Sequence, residues 1–437
     1  MNGISRKSEV LAYSAFIGNS SFKSLTTKTF LQNISYIMWA IFLVSLHVPY
    51  VSLGYILNTK ISLSLVLYLF SVWGFIFLYF PFFLKIRELN LLFIMMIFLL
   101  CVLINYLVYW SQNSYFSHFE AIKTLFLVLS NILIITVFVN KRKELNLRIY
   151  KKIYLYFVLI NCFAVLIQII FYYLFHINLF FFFQNIKWGE FIRPCGFFGE
   201  PAHFGIFLSG LLFLNKNDIK NHKKLIIISL ISLLMTFSGV AYIVAVILFS
   251  KLLVKHYFNI FIKVFVVVLF LSTILILYQY FPQFQRIKSA INFSDRSTIV
   301  RTIKGVAIYS DLNFIEKILG VGAGNIMYAM QRYSKSLYYL FLTSGFSANE
   351  YLSGFFCEFI NFGFIPAVLI NLFILLMVIK TYHNFSIFIV FEILRLVTSI
   401  NIISSWLVFL LILLMSTTDN IEERSSFVRN NVILDIK

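Results

Sequence analysis

The sequence predicts an all-α, polytopic integral membrane protein, and three observations carry that prediction. Of 437 residues, 61% are apolar, 19% are aromatic and only 12% are charged, which leaves too few polar side chains to cover a soluble globule of this size. Apolar runs of about 20 residues, the length that crosses a bilayer core at 1.5 Å per residue, recur along the chain. Between them lie short segments rich in Lys and Arg, as cytoplasmic loops are. A net charge of +19 does not imply nucleic acid here, because the basic residues are scattered between apolar runs with no aromatic-basic recognition motif. Cys101, Cys162, Cys195 and Cys357 have no metal-ligand or redox spacing, so neither a zinc site nor a disulfide framework is expected.

The opening residues are polar and basic (Arg6, Lys7, Lys23, Lys28) and carry no apolar core followed by a cleavage site. Residues 1–33 are therefore expected to be a cytoplasmic segment, with the first span serving for targeting. Spans are expected near 34–54, 61–83, 89–110, 121–139 and 153–175. The block 140–152 holds six Lys or Arg and marks the inner side. Counting from it puts the 84–88 turn inside and 176–201 outside, and a short helix over 202–214 returns to the basic NKNDIKNHKK.

Residues 225–250 read either as one long tilted span or as two short ones hinged at Ser238-Gly239. Two are preferred, because they leave Lys251 and Lys255 inside. A span near 258–280 leads out to the longest polar segment, 281–347, which holds eight Lys or Arg against Asp295, Asp311 and Glu316. An apolar stretch over 352–379 follows, broken at Gly363-Phe364-Ile365-Pro366. The run 385–415, interrupted by Arg395 and Asn401, reads as two helices joined outside, with 416–437 as a cytoplasmic tail. The total is about 12 spans, and no period of 20 to 50 residues recurs.

Chemistry concentrates in WGEFIRPCGFFGEPAH, 188–203, which brings Glu190, Arg193, Glu200 and His203 into otherwise apolar surroundings. Ionisable groups at membrane depth are costly and so point to function. Pro201 favours the first position of a helix, which puts Glu200 at its mouth. Gly196 and Gly199 free the backbone for positive φ or close approach, as a shaped re-entrant loop requires. The bland alternative is an interfacial loop whose Arg and Glu neutralise each other. His203, one turn from Glu200, faces the same cavity or simply packs.

In the long polar segment, Arg296 and Arg301 precede an amphipathic stretch. Paired guanidinium forks suit a diphosphate, although headgroup anchoring explains them too. GVGAGN, 320–325, meets neither nucleotide fingerprint and reads as a flexible turn allowing close backbone approach. Glu350 and Glu358 open the next helix, and charge pairing, with loop arginines as candidate partners, is the expected role of Glu358. His47, His118, His176, His222, His256 and His383 form no cluster.

In their order, RPCGFFGEPAHFG, TFSGVA (236–241), the Arg-bearing segment, GVGAGN and SANEYLSGFFCEFINFGF resemble the O-antigen polymerases of bacterial lipopolysaccharide assembly. The ordered motifs extend over about 188–366. The resemblance implies a GT-C-like, metal-independent glycosyltransferase of the inner membrane, with both termini cytoplasmic, a long periplasmic loop and no cofactor. Such an enzyme moves a growing glycan from undecaprenyl diphosphate to the non-reducing end of a new lipid-linked repeat unit. Its donor and acceptor are undecaprenyl-diphosphate-linked oligosaccharides in the membrane lipid, and a chain-length regulator is an expected partner.

On that reading Arg193, Arg296 and Arg301 hold the diphosphate and Glu200 is the general base, with His203 in reserve. Gly196, Pro201, Asn349 and Glu350 support the site. Two departures stand out. Ala348 precedes Asn349 where relatives often carry His, and Gly239 follows Ser238 where an Arg often stands. The first weighs against the related ligases that join glycan to the lipid A core. A lipid-linked oligosaccharide flippase is the rival of another class, though no internal two-fold similarity supports it.

Overall fold

The computed structural model describes residues 29–47, 62–79, 89–110, 118–141, 145–177, 179, 187–188, 191–255, 303–326, 329, 352–382, 385–398 and 400–416. Among these residues the regular elements are helices, apart from one antiparallel pair of two-residue strands, β1 (Lys187–Trp188) and β2 (Phe191–Ile192). The helices are α1 (Thr29–His47), α2 (Leu63–Tyr79), α3 (Leu89–Trp110), α4 (His118–Lys141) and α5 (Leu147–Phe175). They continue as α6 (Pro201–Ser209), α7 (Lys216–Asn221), α8 (Lys223–Met235), α9 (Gly239–Lys255), α10 (Ile303–Asp311) and α11 (Phe314–Leu319). The last four are α12 (Gly354–Phe362), α13 (Phe364–Tyr382), α14 (Phe385–Val397) and α15 (Ser405–Ser416).

Helices α1, α4 and α5 are each long and apolar enough to cross a membrane. The first helix begins at Thr29, earlier than the start near 34 expected from hydropathy, because polar Thr29, Gln32 and Asn33 join its first turns, which an apolar-run count does not see. Residues 48–54 of the expected span lie outside the described residues.

The hub is α15. Every residue from Trp406 to Ser416 is buried, as a helix that is apolar all round must be in a packed bundle. It contacts α4, α5, α13 and a 3₁₀ turn, Gly210–Phe213, that extends α6. Pairwise contacts give the directions. His203 stacks on Trp406, Phe207 on Phe409, and Gly210 abuts Leu413, so α6 and α15 run parallel and in register. Gly205 lies against the Ala241 backbone, and the Lys251 ammonium donates to the carbonyl of Leu214 at 2.7 Å, so α9 runs parallel to both. Trp39 donates to the Tyr150 carbonyl at 3.0 Å and His47 meets Asn161 at 2.7 Å, which makes α1 parallel to α5. Helix α5 runs opposite to α6, because Tyr154 donates to the Phe207 carbonyl at 2.9 Å while Phe197 donates to Asn161.

The run 225–250 is two helices, α8 and α9, packed on each other. Its hinge lies slightly before the expected Ser238-Gly239. Phe237 takes φ 50°, and a Cβ on Gly239 would meet nothing within 4 Å, so the glycine's freedom is not what makes the bend. Helices α14 and α15 are likewise distinct, and α12 separates from α13 at Gly363, with φ 85°. Pro366 sits in the first turn of α13, where a missing N–H costs no helical hydrogen bond.

Lys151 and Asp218 form a buried ion pair at 2.8 Å, which brings the basic segments 140–152 and 215–224 to one end of the bundle. Within the long polar segment 281–347, residues 303–326 fold onto α12 around Ile308, Leu312, Val321 and Ile360. GVGAGN is a packed turn, not a flexible one. Gly320, Gly322 and Gly324 all have positive φ, and Val321 donates to the Ile360 carbonyl at 2.8 Å. A Cβ at Gly324 would sit 2.6 Å from the Glu120 carbonyl oxygen, so close backbone approach is what this glycine permits.

Candidate functional site

The candidate site is built on the loop 191–200, and the loop is held by α5. The Gln168 side-chain oxygen accepts from the N–H groups of Cys195 and Gly196, both at 3.0 Å, while its amide donates to the Gly196 carbonyl at 3.1 Å. Seven residues earlier, on the same helix face, the Asn161 oxygen accepts from the Phe197 N–H at 3.3 Å. The Asn161 amide meets Nε2 of His47, whose Nδ1 lies 2.5 Å from the Leu43 carbonyl and whose ring packs on Phe198 and Phe207. Two polar side chains of α5, Gln168 and Asn161, thereby satisfy backbone groups of the loop, and His47 of α1 braces the second of them.

Gly196 has φ 62°, and a Cβ there would lie 3.1 Å from both Asn161 oxygens. Of the two glycines expected to give the loop its shape, Gly196 uses the left-handed region and Gly199 does not. Cys195 is buried, with Sγ donating to the Phe198 carbonyl at 2.8 Å, and burial pushes its thiol up to about 12.

The loop delivers Glu200 as the N-cap of α6, with extended φ −142° and ψ 146°, and Pro201 follows at the first helical position. The expected helix start is therefore where the sequence puts it. The Glu200 side chain makes no capping hydrogen bond, and the His203 N–H donates to the Glu200 carbonyl at 3.1 Å. The His203 ring lies on Trp406 of α15, with centroids 5.8 Å apart and planes at 23°. The Arg193 guanidinium acts electrostatically on Cys195 and on the Tyr242 hydroxyl of α9, and the Glu200 carboxylate acts on Cys195.

Arg193, Glu200, His203, Tyr242 and Trp406 therefore share one neighbourhood at the aligned N-terminal ends of α6, α9 and α15. Three helix dipoles with their positive ends on one side favour negative charge there, and the guanidinium adds to that. The arrangement combines a cation, a carboxylate, an imidazole and an aromatic face. Such a set can bind an anion, orient a hydroxyl and accept its proton.

Arg296, Arg301, Asn349, Glu350 and Glu190 lie outside the described residues. Among the described residues Glu358 pairs with Arg395 of α14, which appears in the sequence only as an interruption of an apolar run, and the loop arginines expected as candidate partners lie outside the described residues. Sequence reasoning also passed over Gln168, Asn161, Tyr242 and Trp406. The available signal was polar residues at helical spacing, Asn161 and Gln168, inside a span with no other reason to be polar. His47 belongs to no histidine cluster but supports the loop through Asn161. No family model, curated protein or solved structure matches this chain.

Proposed function

We propose that the chain is an integral-membrane glycosyltransferase, GT-C-like and of about 12 spans, that polymerises O-antigen repeat units at the outer face of a bacterial inner membrane. The observation that carries the reading is the convergence of Arg193, Glu200 and His203 at the aligned N-terminal ends of α6, α9 and α15. The end holding Lys151 and Asp218 lies among the most basic segments, which by the charge rule is the cytoplasmic end. The loop 191–200 is at the opposite end of α5, and so faces the periplasm.

In the reaction, the bond between the sugar C1 and the diphosphate oxygen of the donor breaks. A bond forms between that C1 and a hydroxyl of the acceptor repeat unit. The hydroxyl proton passes to the Glu200 carboxylate, with His203 as the reserve acceptor, and undecaprenyl diphosphate leaves. Arg193, joined by Arg296 and Arg301, stabilises the charge that develops on the diphosphate, an effect far larger in a poorly hydrated cleft than in water. A glycosyl diphosphate is already activated, so holding donor and acceptor in line supplies much of the acceleration.

Arg193→Ala should abolish chain extension while the protein still inserts, and long glycan made by that variant removes Arg193 from the site. Polymer formed in sealed vesicles from substrate supplied on the outer face requires an enzyme. Movement of lipid-linked repeat unit without polymer identifies a transporter instead.

A further inference from the structure

Away from the loop, the described residues hold one completely buried cation. Arg395 on α14 and Glu358 on α12 are both 0% exposed and form an ion pair through Nη2 and Oε2. Nη1 of Arg395 also donates to both oxygens of Glu392, at 2.8 and 2.9 Å, and to the Asn371 side-chain oxygen on α13, at 2.6 Å. A buried ion pair is costly to assemble and contributes little net stability relative to apolar packing. A role in positioning accounts for such a pair where stability does not.

The other oxygen of Glu358 supplies the explanation. Oε1 accepts from the backbone N–H of Ile402, at 2.7 Å, in the turn that joins α14 to α15. The same turn is fixed at three more points. The Gly354 N–H at the head of α12 donates to the Thr398 carbonyl at 2.6 Å, Asn131 of α4 donates to the Ile402 carbonyl at 2.5 Å, and the Asn401 side chain accepts from Ile403 and Ser404 at 2.9 and 3.1 Å. Four residues beyond Ile402 stands Trp406, 9% exposed, on which the His203 ring lies. Ile400 and Ile402 of the turn reach into the apolar core, but apolar packing is non-directional. The turn's height in the bundle is set by the polar contacts.

We infer that Glu358 and Arg395 are positioning residues, a buried charged pin that sets the start of α15 and so holds Trp406 as the platform for His203. The pin touches no substrate and acts through the turn. The fork of the guanidinium explains why the cation is Arg: Nη2 serves Glu358 while Nη1 serves Glu392 and Asn371, a division that a lysine ammonium cannot hold with fixed orientation. The activity arm of the test rests on the glycosyltransferase reading, and the structural arm does not.

The test uses the full chain labelled with 5-fluorotryptophan, in which the resonance of Trp406 among five tryptophans is assigned with Trp406→Phe. Arg395→Lys and Glu358→Gln, compared per inserted molecule, should shift or broaden that resonance. They should also lower kcat for glycan extension by about tenfold or more, the scale of an ångström-sized misplacement, with KM for the lipid-linked donor within about twofold. Asn371→Ala removes one acceptor only and should give a smaller shift of the same sense, which keeps the test open if the charged variants do not insert. An unchanged Trp406 resonance in an inserted variant overturns the inference, as does a KM effect without a kcat effect. A shifted resonance in a protein whose wild type extends no glycan leaves the pin standing and removes the glycosyltransferase reading.

Discussion

Replacing Gln168 with leucine tests the loop's anchorage, because the two side chains are close in size and differ mainly in hydrogen bonding. The substitution would leave the N–H groups of Cys195 and Gly196 and the carbonyl of Gly196 without their present partner. A buried polar group left unsatisfied costs about 1–3 kcal/mol, so three at the low end cost about 3 kcal/mol. At 1.4 kcal/mol per factor of ten, the open state of the loop becomes roughly a hundredfold more populated. Cys195 reads that opening directly. In the closed loop it is 0% exposed and its thiol is held up to about 12 by burial, so very little thiolate is present at neutral pH. Opening both exposes it and returns it to ordinary acidity. Maleimide labelling at Cys195, followed by peptide mass in detergent-solubilised protein, should accelerate by roughly two orders of magnitude. Cys162, buried within α5, serves as the control and should not change. An unaltered rate at Cys195, or equal acceleration at Cys162, refutes the anchorage.

Lys151→Met leaves Asp218 charged and buried at a cost of about 3–5 kcal/mol, so thermal stability should fall sharply. Adding Asp218→Leu should recover most of the loss, and a double variant no better than the single one contradicts the assignment. Gly354→Ala drives a Cβ into the Ile400 carbonyl, which is backbone and cannot move aside. At about 3 kcal/mol, the upper end for overpacking, the variant should be degraded before it accumulates in membranes. Normal abundance on an immunoblot would be incompatible with that packing.

Much of the architecture was legible because the bilayer imposes it. Runs of apolar residues set α2 to α5, Pro201 set the start of α6, and Gly363 with Pro366 set the break between α12 and α13. The motif RPCGFFGEP was legible as a shaped loop because Arg and Glu have no reason to interrupt Phe and Leu otherwise. What holds the loop was harder to see, since Gln168 and Asn161 are neutral and hydropathy counts them as minor defects in a span. The pairing of Glu358 with Arg395 spans 37 residues, and no local pattern encodes it. The hinge at Phe237 escaped for a related reason. Glycine is the residue a reader expects at positive φ, and here a phenylalanine beside one takes that conformation.

On the proposed function, the loop over α6, α9 and α15 faces the lipid-linked substrate on the outer side of the membrane. Phe197 is exposed, at 37%, and Phe197→Cys reports both sidedness and occupancy. In oriented proteoliposomes this cysteine should react with an impermeant maleimide from the face opposite Lys220→Cys. Its labelling should slow when an undecaprenyl-diphosphate-linked repeat unit is present. Reaction from the same face as Lys220→Cys, or a rate indifferent to the lipid-linked substrate, would contradict the account.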